Sequence, residues 1–148
     1  MKKLYVLLLL VLLGLNIHAQ KPMREMVIAE GALGFWTTYC AGAALGADHL
    51  IANEHDVAII INHHQDSLEN SYSIARNNFY GVQVIPTFYF DGILSVPGGS
   101  STNSMYSSYV DKVYERLSVA SDFTMAIQLE ESGNSYTADV GIKNQWGN

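Results

Sequence analysis

The stretch Phe35-Trp-Thr-Thr-Tyr-Cys40 constrains this chain more than any other, and it holds the only cysteine in 148 residues. An apolar run, Met26-Val-Ile-Ala29, leads into it and predicts a buried strand. A small-residue stretch, Ala41-Gly-Ala-Ala-Leu45, leads away and predicts a helix. A thiol at such a strand-to-helix turn lies where a helix N-terminus can stabilise a thiolate. One cysteine cannot close an internal disulfide. In an oxidising compartment it is buried and inert, free and reactive, or paired with another molecule.

The compartment is read from the start of the chain. Lys2 and Lys3 precede an apolar stretch from Leu4 to Leu15, and Ile17-His-Ala19 ends on a small residue. This is the three-part pattern of a secretory signal. The apolar stretch falls short of the ~20 residues of a membrane-spanning helix, so no integral span is expected after cleavage near Gln20. The mature chain is then exported, to be periplasmic, secreted or associated with the outer membrane. Loss of Lys2 and Lys3 leaves six basic residues against 14 acidic ones, a net charge of −8. That balance excludes nucleic acid as a partner, because phosphate binding needs clustered Lys and Arg.

The mature length suits one main domain with a sizeable core. Strand-like and helix-like stretches alternate along it. Val27–Glu30 reads as strand and Tyr39–Asn53 as helix. Val57-Ala-Ile-Ile-Ile61 is a β-branched run with the look of a strand buried on both faces. Ser67–Phe79 reads as helix, and Thr87–Phe90 and Ile93–Val96 read as a hairpin around Asp91-Gly92. Pro97–Thr102, with Gly98-Gly99, reads as a flexible loop. Asn103 or Ser104 can cap a helix running through Leu117. Then the period changes to two: Phe123, Met125, Ile127 and Leu129 alternate with polar or small residues, as do Tyr136, Ala138, Val140 and Ile142 after Ser132-Gly-Asn-Ser135. That is a hairpin with one apolar face, marginal on its own in water. The expected divisions are a signal over 1–19, an α/β domain over 20–120 and a β-hairpin over 121–148.

By this order, β-α-β-α-β-β-α, the chain from Met26 to Val119 resembles a thioredoxin-like domain, a three-layer α/β/α fold. The residues that carry the resemblance are Trp36-Thr-Thr-Tyr-Cys40 after a strand, the strand Val57–Ile61, Ile85-Pro86-Thr87, and Phe90-Asp91-Gly92. It is most similar to the bacterial envelope family called outer membrane protein twenty-eight-related. That family's pattern is matched by Val27, Glu30, Gly34, Trp36, Tyr39, Cys40, His64, Asp66, Pro86, Thr87, Asp91 and Gly92. The resemblance implies a cis proline at Pro86 facing the redox turn. It also implies a β-sandwich whose opening strands are the hairpin, with this chain a truncated form. No cofactor is implied. Two departures stand out: Thr37 replaces the first cysteine of the redox pair, and Ala41 replaces the proline common after the second.

In a Cys-x-x-Cys turn the first thiolate attacks and the second resolves the mixed disulfide. Thr37 cannot form a disulfide, so the dithiol cycle is excluded on covalent grounds. The leading reading is a redox-inactive module that binds a peptide or an envelope protein in a groove formed by Trp36, Tyr39, Ile85 and Pro86. The alternatives are catalytic and act through Cys40 with Thr37 beside it. One is a one-thiol thiol-disulfide oxidoreductase. The other is a peroxiredoxin-like peroxidase, which would need Arg24, Arg76 or Arg116 beside the thiol.

His63, His64 and Asp66 would lie at the C-terminal end of a strand, where α/β sheets carry their sites. Adjacent strand residues point to opposite faces, so a shared metal is not expected, and Asp66 reads as a loop-fixing residue. His49 and His55 read as solvated. Tyr106, Tyr109 and Tyr114 read as the core side of the last helix.

Overall fold

The computed structural model describes residues 23–145, so the expected signal over 1–19 lies outside the described residues. They form two units, residues 23–120 and the hairpin that begins at 121, and each is described by itself.

The larger unit is built on a four-stranded sheet in the order β2-β1-β3-β4. The strands are β1 (Val27–Leu33), β2 (Val57–His63), β3 (Thr87–Phe90) and β4 (Leu94–Pro97). β1 and β2 run parallel, with Val27 opposite Val57 and Leu33 opposite His63. β3 is antiparallel to both β1 and β4. The α1 helix (Tyr39–Ala52) makes the crossover between the parallel strands. Helix α2 (Ser71–Tyr80) follows β2, and α3 (Tyr106–Leu117) follows β4.

Strand alternation sorts the side chains into two layers. On one face Val27, Ala29, Leu33, Phe88 and Phe90 meet Ala43, Ala47 and Leu50 of α1 and Tyr109 and Val113 of α3. The helical spacing of Cys40, Ala43, Ala47 and Leu50 makes that stripe. Tyr109 lies 4.7 Å from Phe88 and 5.6 Å from Phe90, ring centre to ring centre. The opposite face is closed by α2 through polar groups. Glu30, on β1, accepts from Arg76 Nε and Nη2, both at 2.6 Å, and from the Tyr80 hydroxyl at 2.6 Å. The Arg76 bonds hold the Glu30 carboxyl below its ordinary range, against the opposing effect of burial. Burial and the facing Glu30 carboxylate push the Tyr80 phenol up to about 12. Tyr80 also stacks on Tyr89 of β3 at 4.1 Å. The layers are therefore α1 with α3, the sheet, and α2, as the resemblance implies.

The Asp91-Gly92 turn has both residues left-handed, at φ 51° and 67°. The Asp91 carboxylate gathers three partners there: the Ile28 N–H, Arg24 and Arg116, each at 3.0 Å.

Several expectations need correction. Among the described strands β2 is at the edge of the sheet, and it is not buried on both faces, since Ile60 and Ile61 are exposed. A β-branched run signals a strand but not its place in the sheet order. Helix α2 begins at Ser71, not Ser67, because Asn70 caps it by accepting from the N–H groups of Tyr72 and Ser73. His49 and His55 are half-buried rather than solvated: Ser104 Oγ lies 3.1 Å from His49 and the Tyr106 hydroxyl 2.8 Å from His55. Of the α3 tyrosines Tyr109 is fully buried and Tyr106 packs against the core while meeting both histidines, as expected, whereas Tyr114 is exposed.

In the smaller unit, β5 (Phe123–Ser132) and β6 (Ser135–Asn144) pair antiparallel around Gly133-Asn134. Met125 lies opposite Ile142, Ile127 opposite Val140 and Leu129 opposite Ala138, so the apolar residues share one face. The alternation in the sequence set this register.

Candidate functional site

The turn that leaves β1 is fastened to the turn that leaves β2. The His64 N–H donates to the Leu33 carbonyl at 2.8 Å. Trp36 Nε1–H donates to the His64 carbonyl at 3.0 Å. Gly34 makes that possible, since a Cβ there would stand 2.7 Å from the His64 oxygen and 2.5 Å from Trp36 Nε1. Asp66 completes the clasp. Its Oδ2 accepts from the Phe35 N–H at 3.1 Å and from His63 Nδ1 at 2.8 Å, and its Oδ1 accepts from the Leu68 N–H at 2.9 Å. Burial works against the Asp66 charge, yet the bonds from His63, Leu68 and Phe35 outweigh it and hold the carboxyl below its ordinary value. Asp66 thus fixes its loop as the sequence suggests, and it also fixes His63 and the turn.

Within the turn, Thr37 Oγ1 accepts from the Tyr39 N–H at 3.4 Å, a local side-chain turn just ahead of α1, whose N-cap Thr38 makes no side-chain bond. Cys40 sits in the first turn of α1 and is only 8% exposed. Its Sγ accepts from the Gly34 N–H at 3.4 Å. Burial pushes the thiol up, the Asp66 charge adds to the rise, and the Gly34 bond opposes them without prevailing. Cys40 is the free, buried cysteine of the chain.

The Ile85–Pro86 bond is cis. The loop after β4 joins this proline to the turn. The Gly98 N–H donates to the Pro86 carbonyl at 2.7 Å, and the Gly42 N–H of α1 donates to the Ser100 carbonyl at 2.8 Å. Gly99 is wedged between them. A Cβ there would run into the Tyr39 carbonyl oxygen and stand 2.7 Å from Pro86 Cγ. Gly98-Gly99 is therefore a packed spacer, not merely a flexible loop.

Thr37 and Cys40 border an open cavity of about 290 Å³. Leu33, Phe35, Ala41 and Ala44 supply its apolar walls, and His63 supplies a polar edge. The residues expected to form a groove are placed differently. Trp36 and Tyr39 are 57% and 56% exposed but do not line this cavity, Ile85 is half-buried, and Pro86 is buried. His63, placed by the sequence at a site-bearing strand end but not in the expected groove, does line this cavity. Its signal was the His-x-x-Asp spacing at a strand end, which lets a ring and a carboxylate meet across a turn.

His63 and His64 diverge: His63 turns to Asp66, while His64 Nδ1 lies 3.8 Å from Glu69. Among the described residues no three His, Cys, Asp or Glu side chains converge as a metal would require. Arg24 and Arg116 bind Asp91 and Arg76 binds Glu30, so these three guanidinium groups are engaged away from the thiol.

Comparison with solved structures decides the fold class. HBP35 of Porphyromonas gingivalis matches 86% of this chain at a TM-score of 0.59 and 16% identity. The fold is thioredoxin-like. This chain spans 45% of the length of HBP35. Thioredoxins of Fasciola hepatica and Malassezia sympodialis also match, at 18% and 13% identity, over 63% and 70% of this chain and 83% and 99% of theirs. Their TM-scores are 0.46 and 0.44. No protein-family model matches the sequence, and comparison with curated proteins likewise finds no match.

Proposed function

We propose that this chain is an exported thioredoxin-like binding module that has lost the dithiol cycle, and that the cavity beside Thr37 and Cys40 receives an apolar side chain of a peptide or envelope protein. The observation that carries this reading is the state of Cys40. It is buried, raised in pKa and set against apolar walls, and no second cysteine exists to complete a redox pair. Such surroundings suit burial of an apolar group better than thiolate attack. The bacterial envelope family related to outer membrane protein twenty-eight is the finer assignment we favour, on the residue pattern from Val27 to Gly92. On the same assignment the hairpin corresponds to the opening strands of a sandwich domain.

A one-thiol activity is the second reading. The Gly34 N–H pointing at Sγ favours it, because such a bond stabilises a thiolate. Reaction of Cys40 with a disulfide probe across a pH series separates the two. On the binding reading the folded protein reacts more slowly than unfolded protein at every pH, and the rate climbs through pH 8 without a plateau. A plateau below about pH 7 would mark a stabilised thiolate and overturn the binding reading.

A further inference from the structure

The cavity has one polar group whose chemistry is fixed by its neighbours. His63 lines it, with its ring centre 5.0 Å from that of Phe35. Its Nδ1 lies 2.8 Å from Asp66 Oδ2, and that same oxygen accepts from the Phe35 backbone. Both Asp66 oxygens are acceptors in this network, one for Leu68 and one for Phe35 and His63. Nδ1 is therefore the donor, and in the neutral form of the ring that leaves Nε2 as an acceptor. No described residue bonds to Nε2, and the side chain is 18% exposed. A carboxylate that orients an imidazole in this way leaves its far nitrogen aimed and ready for a ligand.

The geometry points to His63 as the specificity-determining residue of the cavity: Nε2 accepts a hydrogen bond from the polar tip of an otherwise apolar group, so a phenolic side chain such as tyrosine is preferred to a phenylalanine. This rests on the proposed binding role of the cavity. The physical basis is a mostly apolar site in which the imidazole, beside the Thr37 hydroxyl, is a polar group that a bound apolar ligand would cut off from water. A ligand that supplies the donor gains the bond, and one of the same shape without it leaves the nitrogen desolvated and unpaired.

The test uses three small probes of one shape, toluene, p-cresol and p-toluate, titrated into the full chain and followed by NMR chemical shifts. The expected result is p-cresol binding about tenfold tighter than toluene, with p-toluate weakest. In His63→Phe the preference for p-cresol over toluene disappears, whatever the change in the affinity of both probes. Asp66→Asn, which frees the ring but keeps it, is a second arm should His63→Phe not fold, and it also narrows the gap between the two probes. Equal binding of toluene and p-cresol, or a preference that survives loss of Nε2, overturns the role of His63 and leaves the cavity standing. Tightest binding by p-toluate overturns it too, since that requires a donating imidazolium. If none of the three binds in the millimolar range, the binding role of the cavity itself fails.

Discussion

Replacing Glu30 by Ala tests how this fold tolerates a carboxylate inside an otherwise apolar strand. Glu30 is 5% exposed and takes two 2.6 Å bonds from Arg76 and one from Tyr80. Removing one partner of a buried ion pair costs about 3–5 kcal/mol, chiefly because the other charge is stranded. Arg76 keeps 43% of its side chain exposed, so it can turn to water, and the lower end of about 3 kcal/mol applies. For a domain of about 100 residues this lowers Tm by roughly 12–24 °C. Thermal and urea unfolding of Glu30→Ala, Arg76→Ala and the double variant would give the loss and the coupling between the pair.

The pH dependence has a definite sign. The folded carboxyl titrates below its ordinary value, with the Arg76 bonds as the main cause. Its contribution is then full above the ordinary carboxylate pKa of about 4.3 and disappears as the pH falls through the folded-state value. Glu30→Gln should lack that part of the acid loss. A cost below about 1 kcal/mol, or an unchanged acid limb in Glu30→Gln, would refute the assignment of Glu30 as the anchor of α2.

Two further variants probe the site's support. Gly99→Ala forces either the loop or the start of α1 to move, since the new methyl meets the Tyr39 carbonyl and the Pro86 ring. It should cost about 1–3 kcal/mol by urea unfolding, and no loss would show that the spacer is slack. Tyr109→Phe removes a fully buried hydroxyl with no hydrogen-bond partner among the described residues. It should leave stability unchanged or raise it by up to about 1 kcal/mol, and a loss above about 1 kcal/mol would reveal a partner for the hydroxyl, such as a buried water.

Local periodicity carried much of the fold. The apolar strand before Phe35, the small-residue stripe of α1, the Asp91-Gly92 turn and the alternation of the hairpin each depend on residues a few positions apart. What was hidden depends on pairs far apart in sequence. His55 looked solvated because its partner, Tyr106, lies 51 residues away. β2 looked buried on both faces because nothing within it records that, among the described strands, β1 alone lies beside it. Glu30 could have been noticed as a charge inside an apolar run, which implies a buried partner, but no spacing rule names Arg76. The turn was legible as a turn, whereas the cavity was not, because its polar edge comes from the loop after another strand.

The substitution at Thr37 can now be weighed in structural terms. A redox pair makes two demands on its first position: a group that can be a thiolate, and an acceptor for the N–H groups opening the helix. A hydroxyl meets the second without the first, and Thr37 Oγ1 does accept from Tyr39. The other supports of the turn, namely the Asp66 clasp, the Gly34–Trp36 packing, the Gly99 wedge and cis Pro86, involve no sulfur chemistry. A hydroxyl at position 37 is therefore compatible with the turn's shape, and that shape borders an apolar cavity with an oriented imidazole at its edge. Thr37→Cys separates shape from reactivity. With the scaffold intact, it should gain disulfide reductase activity toward insulin without losing the cavity's affinity for toluene. A variant that stays inactive while folded would mean that the surroundings of Cys40, and not the missing thiol alone, have moved away from redox work.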